Sequence, residues 1–191
     1  FNPGEMDDNE VVDLKTTRNI KWVAKLGSQA YGNVTIGNGC VFVGTNNESP
    51  RDEGKKGDRG VVMCLDEKTG ELKWQLVIPK LGAGKVSDWE YIGVCSSTAI
   101  DGEKVYVVTN RCEVVCLDIN GLSNGNDGPF KDEASYVRPK GMKDELNEKL
   151  DADILWMYDM RDELGVFPHN VTSSSPVIIG DNVYVATSNG V

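Results

Sequence analysis

Two short stretches concentrate the side chains able to do chemistry. Asp88, Trp89, Glu90 and Tyr91 are contiguous in one, and Arg161, Asp162, Glu163, Phe167, His169 and Asn170 gather in the other. The carboxylates Asp88, Glu90, Asp162 and Glu163 offer oxygen ligands for a hard cation; they equally suit solvated loops. His169 is the only histidine. With an ordinary pKa of about 6.5 it is equipped to act as acid, base or ligand. Against that, Phe-Pro-His-Asn carries no ligand spacing, and a turn or packing role competes. A third run supplies Asp118, Asn120, Asn124, Asn126 and Asp127 among glycines. These are candidate Ca²⁺ ligands, although the run lacks the Asp-x-Asp-x-Asp-Gly register and terminal Glu of an EF-hand loop. No Gly-x-Ser-x-Gly, His-Glu-x-x-His or phosphate loop occurs in the chain, so recognition rather than catalysis is the first expectation.

The five cysteines form no Cys-x-x-Cys and no Cys-x-x-Cys-His, which removes the zinc ribbon and covalent haem from consideration. Cys64 and Cys116 both precede Leu-Asp and read as small buried hydrophobes. A formal charge of −10 with scattered basic residues argues against a nucleic-acid partner, which needs clustered Lys and Arg. No run approaches the roughly 20 apolar residues of a membrane span. Phe1 opens the chain without a Met or a charged-then-apolar leader, so any signal peptide is expected to have been removed or to lie upstream.

These residues need a scaffold, and the chain describes it by repetition. Tryptophan recurs in one setting: Ile20-Lys21-Trp22, Leu72-Lys73-Trp74 and Ile154-Leu155-Trp156. Ahead of the last two stand Cys64-Leu65-Asp66 and Cys116-Leu117-Asp118. Self-similarity at tens of residues marks an array of one supersecondary unit. Three further segments, 31–46, 96–110 and 174–187, each join a short apolar run to a β-branched and aromatic run through a Gly/Asn/Asp turn. That is the signal of a tight hairpin. A third strand then ends in Cys-Leu-Asp, Gly70 supplies the positive φ of the next turn, and the Trp strand is fourth. Four consecutive antiparallel strands per copy predict β-propeller blades.

The phrase Cys64-Leu65-Asp66-Glu67-Lys68-Thr69-Gly70-Glu71-Leu72-Lys73-Trp74 resembles the tryptophan-docking repeat of the PQQ-like (quinoprotein-type) β-propeller family. The resemblance covers most of residues 19–191. It implies that Asp66, Thr69, Gly70, Trp74, Asp118, Trp156 and Trp22 are docking positions, each Trp packing between neighbouring blades. Only one copy holds the whole motif; in the second, a long insertion replaces the Thr-Gly turn. The expected fold is all-β: a partial propeller of about two and a half four-stranded antiparallel blades plus an N-terminal closing strand, part of a larger, eight-bladed ring. Its expected divisions are an N-terminal extension (1–18), a closing strand of a blade not in this chain (19–30), blade 1 (31–78), blade 2 (96–160, with insertion 119–153) and the start of blade 3 (174–191).

Strand order also predicts where the chemistry lies. In a four-stranded meander, loops 46–60, 79–95 and 161–173 share one face, and functional residues favour long loops on a rigid scaffold. That face, carrying Asp88, Trp89, Glu90, Tyr91, Arg161, Asp162, Glu163, His169 and Asn170, is the expected ligand or partner surface. The insertion 119–153 is expected on the opposite face, with a short helix over 142–150, where Met142, Leu146 and Leu150 stand four apart. Cys95 and Cys112 flank the end of one strand. Their Cα atoms would lie about 9–10 Å apart, beyond a disulfide's usual reach, unless loop residues fold over the strand end.

Two function classes follow. One is a non-catalytic binding or scaffold propeller, periplasmic or extracellular by the resemblance, whose partner is another protein or the remaining blades. An outer-membrane-assembly-type propeller differs from it only in partner. The other is a quinoprotein dehydrogenase using PQQ and Ca²⁺. The family's catalytic Asp, its cation-binding Glu/Asn pair and its adjacent-cysteine disulfide have no matching positions here.

Overall fold

The Asn38-Gly39 pair starts the first blade. Both residues have positive φ (52° and 74°), the geometry of the hairpin turn that follows strand twist, and they join β1 (Thr35–Gly37) to β2 (Cys40–Asn46). Gly102 (φ 56°) and Gly180 (φ 57°) make the equivalent turns between β5 (Ala99–Asp101) and β6 (Lys104–Val108) and between β9 (Val177–Ile179) and β10 (Asn182–Tyr184). The computed structural model describes residues 4–8, 12–13, 15–81, 89–137 and 146–187. Within them, β1 to β4 form one antiparallel four-stranded sheet, with β3 Arg59–Asp66 and β4 Leu72–Pro79. Strands β5 to β8 form a second, with β7 Glu113–Asp118 and β8 Ile154–Asp159. β9 and β10 pair alone. No helix among the described residues is long and apolar enough to cross a membrane.

The two complete sheets agree down to their irregularities. Cys64 pairs with Trp74 and Leu65 with Leu72, while Cys116 pairs with Trp156 and Leu117 with Ile154. Each fourth strand thus carries one extra residue just before its Trp. Such a bulge bends the strand and re-aims a side chain. Trp74 is turned into the next sheet, where its indole N–H donates to the Ile119 carbonyl at 2.8 Å. Trp22 does the same one unit earlier, donating to the Glu67 carbonyl at 3.0 Å. Glu67 and Ile119 each directly follow the Asp of Leu-Asp, so the two contacts are equivalent. Phe42 lies 5.8 Å from Trp74 between ring centres, and Tyr106 lies 6.0 Å from Trp156.

Glycine makes room for each docked indole. A Cβ on Gly70 would sit 2.5 Å from Trp22, and one on Gly121 would sit 2.7 Å from Trp74. The Asp66 turn is held by its own carboxylate, whose Oδ1 accepts from the amides of Lys68 (2.8 Å) and Thr69 (2.9 Å). Those amide bonds hold its carboxyl below the usual range.

The main core lies between the two complete sheets, where Phe42, Val62, Trp74, Leu76 and Ile78 meet Val94, Val105, Val107, Val115 and Leu117. Trp22, Ala24 and Leu26 pack on Val41, Val43, Val61, Met63 and Leu65, with Val23 turned outward at 62% exposure. This segment has the period of a strand but no strand pairing, because no neighbouring strand lies beside it among the described residues.

The insertion departs from expectation. Expected on the opposite face, it folds back along β4, an edge whose N–H and C=O groups need partners. The Gln75 amide donates to the Leu150 carbonyl (2.7 Å) and the Ala152 amide to the Gln75 carbonyl (3.0 Å). Arg59 donates to the Val137 carbonyl at 2.9 Å. Its helix is α1, Glu133–Val137, not the expected 142–150. Residues 142–145 lie outside the described residues, and 148–150 form a turn. Lys55, from the β2–β3 loop, reaches both oxygens of Asp151 at 2.8 and 2.7 Å, and Asp52 at 2.7 Å. Lys55 and Asp151 are both buried.

Two predictions follow from this packing. Gly39→Ala, at a positive φ with nothing near its Cβ, is expected to cost about 1–2 kcal/mol. Gly121→Ala adds a clash with a rigid indole and is expected to cost about 1–3 kcal/mol more; equal urea midpoints for the two variants would contradict the docking account. Removing either partner of the Lys55–Asp151 pair, by Lys55→Met or Asp151→Ala, leaves a buried charge and is expected to cost about 3–5 kcal/mol. The double variant should cost less than the sum, by a coupling of about 1 kcal/mol or more in a double-mutant cycle; strict additivity would show that the pair does not act as a unit.

Candidate functional site

Three equivalent segments lead into the first strand of each unit: Tyr31-Gly32-Asn33, Cys95-Ser96-Ser97 and Ser173-Ser174-Ser175. Hydroxyls stitch them together in order. The Asn33 amide donates to Ser97 Oγ at 2.8 Å, and the Ser97 amide donates to Ser175 Oγ at 3.0 Å. Gly32 permits the first approach, since a Cβ there would lie 2.6 Å from the Ser96 carbonyl oxygen. Over this staircase lies an open hollow of about 430 Å³, lined by Tyr31, Asn33, Trp89, Cys95, Ser97 and Ser175 among others.

The loop bearing Trp89 is pinned from below. Asp58, in the β2–β3 loop, accepts from the Tyr91 amide at 3.0 Å and pairs with Lys80. Lys80 also donates to the Trp89 carbonyl at 2.8 Å. The Val94 amide donates to the Thr45 carbonyl at 3.1 Å. Trp89 remains 59% exposed and Tyr31 62% exposed. Indole, phenol, thiol and hydroxyl groups on a fixed backbone suit hydrogen-bonded and aromatic recognition.

The predicted partner face is therefore split. Trp89 lines the hollow and Tyr91 supports it, while Glu90 is exposed beside them. Asp88 lies outside the described residues. Arg161, Asp162 and Glu163, expected in a loop, lie in a helix, α2 (Met160–Leu164). Its N-cap is Asp159, which accepts the Arg161 amide, and Gly165 closes it at φ 64°, two sufficient end signals. The Arg161 side chain is taken up by Asp159 and by the buried Glu113, 3.4 Å away. Glu113 also accepts from Thr109 (2.9 Å), Tyr136 (2.8 Å) and Arg111 (2.8 Å). That network is structural. His169 is exposed, and Asn170 is half-buried with Oδ1 unpartnered.

No disulfide joins Cys95 and Cys112. Cys95 lines the hollow. Cys112 is buried with Val108, Val114 and Met160. Burial raises the Cys116 thiol to about 11 and the Cys64 thiol further, as befits packing residues rather than nucleophiles.

At the root of the insertion, the candidate cation run folds around a residue that sequence reasoning missed. Carboxylate oxygens of Asp118, Asp127 and Asp153 lie within 4.8 Å of one another. Asn124 bridges Asp118 and Asp127 at 3.4 and 3.2 Å. The Asn120 amide donates to Asp118 at 2.6 Å, and Asn126 donates to Glu133 at 2.9 Å rather than facing the cluster. Asp153 is fully buried. Desolvation, opposed by one hydrogen bond from the Asp127 amide and reinforced by Glu133, Asp118 and Asp127, pushes its carboxyl up to about 6. Asp153 precedes a strand and sits far along the chain from its partners; only spatial proximity reveals it.

A family model described as outer membrane protein assembly factor BamB, of the PQQ-like repeat type, matches residues 6–127. No curated protein matches the chain.

The raised acid of Asp153 sets the sign of a pH effect. Its folded-state value of about 6 exceeds the ordinary value of about 3.9, so between those values the folded chain binds more protons than the unfolded one. Stability from this group therefore falls as pH rises from about 4 to about 6. In metal-free protein, Asp153→Asn is expected to remove that fall. A wild-type-minus-variant profile of urea midpoints that is flat from pH 4 to pH 7 would contradict it.

Proposed function

This chain belongs to the PQQ-like β-propeller repeat family, and from that premise we propose that it is a non-catalytic, protein-binding propeller segment of an exported, envelope-associated assembly. The observation that carries this reading is the pair of exposed aromatic side chains, Trp89 and Tyr31, flanking the hollow above the hydroxyl staircase. Rigid aromatic anchors over a preorganised backbone supply most of the energy in protein recognition. The family description, with its assembly factor of the outer membrane, supports an envelope partner.

The ring itself is part of the proposal. Val34 and Ile36 on one flank, and Val177 and Ile179 on the other, are each more than half exposed. Apolar flanks of this kind support further blades on both sides; the number we propose is eight, with residues 19–30 closing a blade whose other strands lie elsewhere. Pyrroloquinoline quinone, the cofactor of the alternative dehydrogenase reading, carries three carboxylates. The described lining of the hollow offers no Lys, Arg or His to receive them, so this hollow does not suit that cofactor.

Affinity capture from an envelope extract, with the intact protein as bait, tests the proposal. A stoichiometric protein partner is expected, with affinity reduced about tenfold or more by Trp89→Ala and by Tyr31→Ala, while their urea midpoints stay near that of the parent. A partnerless monomer, or a partner held undiminished by both variants, would sink it. Dye reduction with an alcohol or aldose in the presence of the quinone and Ca²⁺ would move the protein to the dehydrogenase class.

A further inference from the structure

The carboxylates at the root of the insertion have no ordinary explanation. Asp153 is fully buried, and its Oδ2 accepts from the Asp127 amide at 2.8 Å. Its Oδ1 has no partner. The neighbouring Glu133 is also fully buried, with Oε1 unpartnered. The nearby cation, Lys131, is spent on the Asn126 side chain at 2.7 Å and on the Asn126 and Asp127 carbonyl oxygens. Among the described residues no ion pair reaches Asp118, Asp127, Asp153 or Glu133. Burying unpaired carboxylates side by side is costly, and a bound cation removes that cost.

We propose that Asp118, Asp127 and Asp153 bind one divalent cation of the calcium type, clamping the two roots of the 119–153 insertion together. The geometry suits it. Calcium takes oxygen ligands at about 2.3–2.6 Å, so two ligands of one ion lie up to about 5 Å apart, and the three carboxylates fall within 4.8 Å of one another. All the donors are hard oxygens, with no imidazole or thiolate, which selects calcium or magnesium over zinc. Asn124 already sits between two of the acids. Turning its amide presents an oxygen where its nitrogen now lies, and water completes the six to eight ligands calcium prefers over magnesium's strict octahedron.

The position gives the ion a structural role. Asp118 ends β7, and Asp153 stands immediately before β8. Asp127 comes from the insertion itself. The next residue after Asp118 is Ile119, whose carbonyl receives the Trp74 indole. An ion here fastens the insertion and the acceptor of the inter-blade contact in one place, away from the hollow above the staircase.

The test uses chelator-stripped intact protein, titrated with Ca²⁺ by calorimetry and with Tb³⁺ by luminescence sensitised through Trp74. One ion per chain and a higher melting temperature with Ca²⁺ are expected. Asp127→Asn, at an exposed position, should fold normally and weaken Ca²⁺ binding about tenfold or more. Asp153→Asn should abolish binding yet leave the metal-free protein no less stable, which separates lost binding from lost folding. Absence of stoichiometric heat and of any melting shift at millimolar Ca²⁺ would overturn the proposal, as would an Asp127→Asn variant that binds like the parent. Displacement of Ca²⁺ by an equal concentration of Mg²⁺ would overturn its calcium character.

Discussion

One kind of hydrogen bond organises the described structure: the indole of one Trp-bearing segment donating to the carbonyl that follows the Leu-Asp of the next unit. Trp74 makes it to Ile119 and Trp22 to Glu67. A buried indole N–H without an acceptor would carry a penalty of about 1–3 kcal/mol, so the acceptor's position is constrained. Several otherwise separate features serve that constraint. The bulge before each paired Trp aims the ring, and glycine at 70 and 121 leaves space for its edge. The Asp66 carboxylate, bonded to two amides of its own turn, fixes the loop from which the acceptor comes. Cys64 and Cys116, opposite the tryptophans in register, are fully buried; a larger side chain there would compete with the ring for volume.

A second constraint is the outer edge of the first sheet. β4 has one strand neighbour, and a free edge invites pairing with any other chain. The insertion of the second unit supplies residues 150–152 to that edge and anchors itself through Lys55, Asp151, Arg59 and Val137. Two units that also meet through an apolar core, the indole bond and the hydroxyl staircase are thereby joined by backbone pairing and a buried ion pair as well. This explains why an insertion replacing the Thr-Gly turn does not cost the second unit its docking. Gly121, inside the insertion, takes over the part that Gly70 plays in the first unit.

Local patterning made much of this legible in the sequence. Hairpins at Asn38-Gly39, Gly102 and Gly180 and the third strands ending in Cys-Leu-Asp follow from spacing and turn chemistry, while the paired docking roles of Trp74 and Trp22 follow from the family resemblance. What stayed hidden was set by contacts between distant residues. The insertion's path depends on an edge some 75 residues away in the chain, between Gln75 and Asp151, and no periodicity reports that. Arg161 to Glu163 looked like loop residues because α2 is only five residues long, too short for an apolar repeat, and only its Asp and Gly caps disclose it. Of the predicted partner face, Trp89 lines the hollow; the serine hydroxyls of its floor come from two short segments, Ser96-Ser97 and Ser173-Ser174-Ser175, that no chemical motif marks.

The staircase has a consequence for recognition. Each step joins an amide of one unit to a hydroxyl of the next, so the backbones bordering the hollow are bonded across units rather than within them. A change in the angle between units would break a bond at every step at once. The backbone beneath the aromatic groups is already held by these bonds and by Lys80 on the Trp89 carbonyl, so less binding energy is spent on ordering the chain when a partner arrives. The same reasoning applies at the other root of the second unit. The three acids collected from β7, the insertion and the approach to β8 repel one another unless a cation is shared. With the proposed cation bound, their convergence would be a fastening that holds the insertion, and with it the inter-unit indole bond, in a single arrangement.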